Sequence, residues 1–291
     1  MTNNAKAYLF AGLAVLCWST VATAFKIALR YQSPESLLLI SSVTSFIVIS
    51  LIYAFKKVRS GISIKKNLKS AIYGFFNPFL YYLVLFEAYS RLPAQEAQSL
   101  NYSWGLVLGI LAVPVLKQRF KLLNFIALLM SFFGVIIIST RGDVFSMNFS
   151  DPAGVSLAVG SSVIWAVYWL MNLKDNRKDI DILLWNFFFG TIYILIYFLI
   201  RNYEMPGIEG ILSSAYVGIF EMGITFLLWM NALKYTDDTS KVSNVIYLSP
   251  FISLIFISVI LEESIYLSTF TGLSLIIAGI ILQNYKKRKK K

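Results

Sequence analysis

Ten predominantly apolar stretches, near residues 8–30, 36–55, 69–91, 94–117, 122–140, 153–173, 180–201, 210–233, 240–261 and 265–285, take up almost the whole of this sequence. Each is close to the length of about 20 residues that a helix needs to cross a hydrocarbon layer. Inside such a layer the backbone must satisfy its own N–H and C=O groups, so the stretches read as helices. The separators carry the expected breakers: Ser33-Pro34, Ser60-Gly61, Leu92-Pro93, Arg141-Gly142, Asp151-Pro152 and Pro206-Gly207. No connection is long enough to hold a soluble domain, which excludes catalysis outside the membrane. With 57% hydrophobic and 14% charged residues and a mean hydropathy of +0.68, the chain lies far from the roughly 25% charged mix of soluble domains. An all-α integral membrane protein with ten transmembrane helices is expected. The stretch from Tyr8 is too long for a signal-peptide core and reaches Phe25-Lys26 without a small-residue cleavage pattern, so it is read as the first span.

Charge sets the orientation, because cytoplasmic loops are enriched in Lys and Arg. One side carries Lys6; Lys56, Lys57, Arg59, Lys65, Lys66 and Lys69; Lys117, Arg119 and Lys121; Lys174, Arg177 and Lys178; Lys234 and Lys241; and the tail Lys286 to Lys291. The other carries only Arg30, Arg91, Arg141 and Arg201. Both termini are therefore expected in the cytoplasm, with the chain in the cell inner (plasma) membrane. The net charge of +11 follows from this bias and gives no reason to expect nucleic acid as a partner. The chain has no His and a single Cys, Cys17, which removes His-based catalysis, Cys/His zinc sites and any internal disulfide. No metal and no cofactor are expected, and no GxxxxGK[ST] loop exists to bind ATP.

The halves 1–145 and 146–291 resemble one another in order. Trp18 matches Trp165, GFFNPF from Gly74 matches GIFEMG from Gly218, Ala88 falls on Ala232, NYSWG from Asn101 lies over IYLSP from Ile246, and Gly134 falls on Gly279. The nearly constant separation of these matches reads as a duplication. Five helices per half force the second half to enter the membrane the other way round. That inverted repeat is common in secondary transporters, with the substrate site near the midplane.

Several motifs together resemble the drug/metabolite transporter superfamily in its ten-helix EamA type. They are WST at Trp18 to Thr20, FEAYSRLPAQEAQSLNYSWG from Phe86 to Gly105, ALKYTDDTSKVSNVIYLSP from Ala232 to Pro250, and LEE at Leu261 to Glu263. LNYSW at Leu100 to Trp104 is similar to the LNYLWP stretch of YddG-type amino-acid exporters, with Ser103 in place of the second Leu and Gly105 in place of the Pro. The first-half counterpart of LEE is LKQ at Leu116 to Gln118, where the family usually has Glu. The resemblance implies two inverted five-helix repeats around a central cavity. Helices 1, 3, 4, 6, 8 and 9 would line it, 2 and 7 would pack outside, and 5 and 10 would form a peripheral pair.

Within that frame one residue stands out: Glu221, deep in the eighth stretch, in IFEMGITF. An acid at that depth costs roughly 2.5–3.5 kcal/mol even on insertion scales. It either binds a substrate ammonium, carries a coupling proton, or only fastens helices together. Its counterpart Asn77 precedes Pro78, which frees a backbone carbonyl and kinks the third helix, for a ligand or passively. Trp18 and Trp165 sit at mid-span, where they stack on a substrate or fill a core. Tyr81, Tyr82, Asn101, Tyr102, Tyr168 and Tyr247 extend the candidate substrate-binding set. Lys26 and Glu87 lie in the outer third of their spans as candidate gating residues, although Arg91 at i+4 also offers Glu87 a simple surface pair.

The function expected is secondary transport of small organic metabolites by alternating access, with export of amino acids or related amphipathic compounds in view. The alternatives are a proton-coupled or facilitative carrier of a nucleobase, sugar or cation, and, more remotely, a non-transporting membrane scaffold. A membrane-embedded lipid enzyme would need clustered acids with His or a metal motif, and neither is present. The partners expected are a small-molecule substrate and the lipid bilayer, with a monomer expected and a homo-oligomer left open.

Overall fold

A computed structural model describes residues 2–55, 64–115, 122–145, 149, 151–236, 242 and 244–285, and among these residues the only regular structure is helical. The helices are α1 (Asn3–Ala28), α2 (Pro34–Phe55), α3 (Lys69–Arg91), α4a (Ala94–Asn101), α4b (Trp104–Val115), α5 (Leu122–Ser139), α6 (Pro152–Leu173), α7 (Asp179–Ile200), α8 (Ile208–Tyr235), α9 (Ser249–Ile260) and α10 (Leu267–Tyr285). They follow the ten expected stretches. Six of them, α1, α2, α3, α6, α7 and α8, are long and apolar enough to cross a membrane by length and composition. The basic residues Lys56, Lys57, Arg59, Lys117, Arg119, Lys121, Lys241 and Lys286 to Lys291, and the LKQ motif, lie outside the described residues.

Local chemistry accounts for several ends. Asp151 caps α6, its Oδ1 accepting from the Ala153 and Gly154 N–H groups at 2.9 and 3.0 Å, and Pro152 takes the first position, where its missing N–H costs nothing. In the ninth stretch, expected to be helical from residue 240, Val242 is helical, a tighter turn runs over Asn244–Leu248, and α9 starts at Ser249-Pro250. Pro250 falls in the first turn of α9, which suits Pro better than a helix interior.

Interruptions recur at equivalent positions in the two halves. In α3 the backbone at Asn77 leaves helical geometry (φ −149°, ψ 122°) within a widened turn over Phe75–Leu80, and α8 widens over Gly218–Ile224. These are the segments matched as GFFNPF and GIFEMG. The fourth stretch breaks at Tyr102-Ser103, between α4a and α4b, and the ninth at the turn before α9, the pair matched as NYSWG and IYLSP. Apolar helices resemble one another by composition, whereas paired interruptions do not arise that way.

The helices cluster into two compact units that cut across the sequence halves. The first comprises residues 1–86 and 176–262, the second residues 87–175 and 263–291. In the first, α2 packs on α7, α3 leans on α7, the widened turn of α8 leans on α2, and α1 lies against α8 and α9. A side chain at Gly74 would collide with the Asn186 carbonyl oxygen of α7, and one at Gly218 with the Ser41 carbonyl oxygen of α2. In the second unit α5 and α10 form the closest pair, and α6 packs along α4a and α4b. There a side chain at Gly134 would come within 2.6 Å of the Gly272 carbonyl oxygen, and one at Gly279 within 2.9 Å of that of Ala127. Each contact is the repeat-related counterpart of the other in its unit. Lipid tails offer helices no hydrophobic drive to associate, so backbone approach at small residues is what packs them.

Candidate functional site

In the first unit the widened turn of α8 presents Glu221, only 8% exposed. The Tyr82 hydroxyl donates to Glu221 Oε1 at 3.0 Å, and the Trp18 indole addresses the same carboxyl group. Oε2 is buried with no hydrogen-bond partner. Aromatic rings surround this group. Trp18 packs on Trp229 at 5.6 Å and edge-on to Phe226 at 6.3 Å, while Tyr82 lies 4.7 Å from Tyr81 and 5.4 Å from Phe86. Three helices thus bring Trp18, Tyr81, Tyr82 and Glu221 together, although each was singled out separately in the sequence.

Asn77, in the same unit, is fully buried with neither amide atom hydrogen-bonded. Its position follows from the kink, because the Pro78 ring is packed into the space left by Gly190 of α7. An unpaired buried polar group costs roughly 1–3 kcal/mol. Tyr247 is half-buried in the turn before α9, and Lys26 is half-buried in the last turn of α1.

The second unit holds the remaining candidates. Trp165 stacks against Tyr168 at 5.7 Å and Trp169 at 5.9 Å on α6. Asn101 Nδ2 donates to Ser161 Oγ at 2.8 Å, and Ser103 Oγ to Ser162 Oγ at 3.0 Å, so the break that carries Tyr102 is tied to a serine pair of α6. Glu87 Oε1 accepts from Arg91 Nε at 2.7 Å within its own helix, and Arg91 also reaches Asp151 at 3.9 Å.

One cluster escaped the sequence reading. Every residue of α4a from Ala94 to Leu100 is buried, yet its sequence is AQEAQSL. Glu263 Oε1 accepts the Ala94 N–H at 3.0 Å and Oε2 the Gln95 N–H at 3.5 Å. The Gln95 side chain donates to the Ser264 carbonyl and accepts from Tyr266 N–H and the Thr269 hydroxyl, each at about 3 Å. Arg141 Nε donates to Glu96 Oε1 at 2.8 Å, and that hydrogen bond raises the guanidinium pKa. The available signal was polarity itself, since a polar helix in a membrane chain must find protein partners for its side chains.

A cavity of about 270 Å³ opens between α1, α8 and α9, lined by Thr20, Thr23, Ala24, Ile27, Tyr216 and Phe256 among others. Thr20 lies roughly 200° around α1 from Trp18. It shares a face with the exposed Leu9, Leu13 and Leu16, so this cavity lies on the exposed side of α1 and not at the Glu221 site. Among the described residues no three His, Cys, Asp or Glu side chains could hold a metal ion.

Comparison with known proteins agrees with this architecture. An uncharacterized transporter of Clostridium kluyveri is 28% identical over 60% of this chain, a match spanning 58% of that relative's length. The uncharacterized transporter YvbV of Bacillus subtilis is 26% identical, covering 95% of this chain and 91% of its own, and an uncharacterized transporter of Archaeoglobus fulgidus is 26% identical over 98% and 100%. A solved crystal structure with 20% identity superposes with a TM-score of 0.68 over 99% of each chain, a likeness of fold. The model of the EamA-like transporter family matches twice, over residues 5–140 and 152–285. Matched from α1 through α10, the chain belongs to the EamA-like transporter family, within the drug/metabolite transporter superfamily.

Proposed function

We propose that this transporter moves small organic metabolites by alternating access and that its substrates are amino acids or related amphipathic compounds, which it exports. The observation that carries this reading is the Glu221 carboxyl group, buried at the bend of α8 with one oxygen held by Tyr82 and the other without a protein partner beside the Trp18 ring. A substrate ammonium is the complement of that bare oxygen, and aromatic surroundings suit a cation or an apolar side chain. The unpaired Asn77 amide is a second group in want of a ligand. Asn101, Tyr102, Trp165, Tyr168 and Tyr247 complete the proposed binding set, and Lys26 and Glu87 the gate. The proposal includes repeats bounded at 145/146, a plasma-membrane location with cytoplasmic termini, and action as a monomer.

The same bare oxygen suits a coupling proton, which supports a second reading as a proton-coupled carrier of another metabolite class. Counterflow in proteoliposomes tests both. Saturable uptake of labelled amino acids that depends on unlabelled substrate inside the vesicle is expected, and no such flux for any small metabolite would sink the transport reading. If Glu221 carries the coupling proton, Glu221→Gln flattens the pH dependence of flux.

A further inference from the structure

The LEE motif has no part in the site described above, yet its last residue performs a specific task. The backbone at Glu262 turns left-handed (φ 59°) just beyond α9, and the Glu263 carboxylate next to it lies on the first two N–H groups of α4a. A helix start leaves four N–H groups without intrahelical partners. In α4a the Pro93 carbonyl accepts from Glu96 and Ala97 N–H, and Glu263 takes the other two. Pro93, at the capping position, has no side-chain acceptor of its own.

We propose that Glu263 is a latch on α4a. Its carboxylate fastens the buried start of the interrupted fourth helix to the chain that leads into α10, and release of this contact lets the first turn of α4a open while the rest of its unit stays closed. The fastening is local in a particular sense. At its far end α4a is held separately by Asn101 on Ser161, and in its middle by Glu96 on Arg141. Losing Glu263 therefore uncaps the first turn, which then keeps only the Gln95 side chain's bonds to Ser264, Tyr266 and Thr269, and leaves the far end anchored. In a carrier that works as proposed above, on which this last step rests, the latch is a positioning residue that sets when the interrupted fourth helix can open.

The test is hydrogen exchange of the full-length protein in lipid nanodiscs, comparing wild type with Glu263→Ala, Glu263→Gln and, as a control in the same motif, Glu262→Gln. Loss of two charge-assisted caps is expected to speed exchange in peptides covering residues 94–101 by about tenfold or more in Glu263→Ala. Glu263→Gln, which keeps one acceptor oxygen, is expected to fall between, and Glu262→Gln to match wild type. Exchange in 94–101 that is unchanged in Glu263→Ala overturns the latch, and so does faster exchange spread equally over α1, α5 and α7. No substrate is needed for this readout, so failure to find transport leaves it standing. Conversely, a Glu263→Ala protein with open α4a but wild-type counterflow overturns the positioning role while the transport reading survives.

Discussion

Glu221 shares its carboxyl group unevenly, with Oε1 accepting from the Tyr82 hydroxyl and Oε2 buried without a hydrogen bond near the Trp18 indole, so two substitutions separate its possible duties. Glu221→Gln keeps the shape and an acceptor for Tyr82, and its effect on folding is expected to stay within about 1 kcal/mol. If the charge binds an ammonium, the same variant loses at least tenfold in apparent affinity for amino acids in counterflow; unchanged affinity and unchanged pH dependence would reduce Glu221 to a helix fastener. Tyr82→Phe removes the donor and leaves a second carboxyl oxygen unpaired, so a loss of about 1–3 kcal/mol is expected in thermal or denaturant unfolding in detergent. A neutral Tyr82→Phe would mean that the 3.0 Å contact carries no weight. At this scale the sequence was legible in part. An acid among apolar residues announces itself, but its partners on α1 and α3 depend on the rotation of three helices, which periodicity in a uniformly apolar chain does not reveal. Lys26 and Glu87 show the same limit. The i,i+4 spacing pointed to the Glu87–Arg91 pair that forms, whereas a tertiary gate has no comparable local sign.

Between helices, glycine decides what can approach what, and the prediction differs from one glycine to the next. Gly74→Ala and Gly218→Ala each force a methyl group onto a backbone carbonyl of a neighbouring helix, which cannot yield as a flexible side chain does. Each is expected to cost about 1–3 kcal/mol, seen as a lower midpoint of tryptophan-monitored thermal unfolding in detergent. Gly12 in α1 and Gly160 in α6 face open space. There alanine is expected to be neutral or to stabilise by up to about 1 kcal/mol, since glycine is the poorer helix former. Equal effects at all four positions would contradict the packing described. The match of GFFNPF to GIFEMG marked Gly74 and Gly218 as equivalent, yet it did not reveal why glycine stands there, because the colliding carbonyls belong to α7 and α2. The breaks in the fourth and ninth helices were legible as Asn-Tyr-Ser and Ser-Pro only in hindsight, because a stretch of twenty-odd mostly apolar residues gives the same span whether it is one helix or two.

The two compact units and the two sequence halves partition the chain differently, and this has a consequence for the whole molecule. The first unit needs α1, α2 and most of α3 from one half and α7, α8 and α9 from the other, while the second needs α4a, α4b and α5 together with α6 and α10. Every close contact traced above obeys the exchange: α3 leans on α7, α8 on α2, α1 on α8 and α9, α4a on α6, and α5 on α10. A half on its own would insert five helices whose small-residue faces meet only lipid. Expressed separately, residues 1–145 and 146–291 are therefore each expected to reach the membrane and be degraded or digested rapidly by protease. Expressed together as two chains, they are expected to co-purify and to recover the unfolding midpoint of the intact protein to within a few degrees, since the cut falls between α5 and α6 and leaves both whole. Limited proteolysis and co-purification through a tag on one half read this out. A first half that is protease-resistant and monomeric by itself would show that each repeat folds alone, and the exchanged contacts would then be secondary. A half that forms stable homodimers would show instead that one repeat can stand in for the other, the behaviour expected if the inverted duplication arose from a symmetric pair.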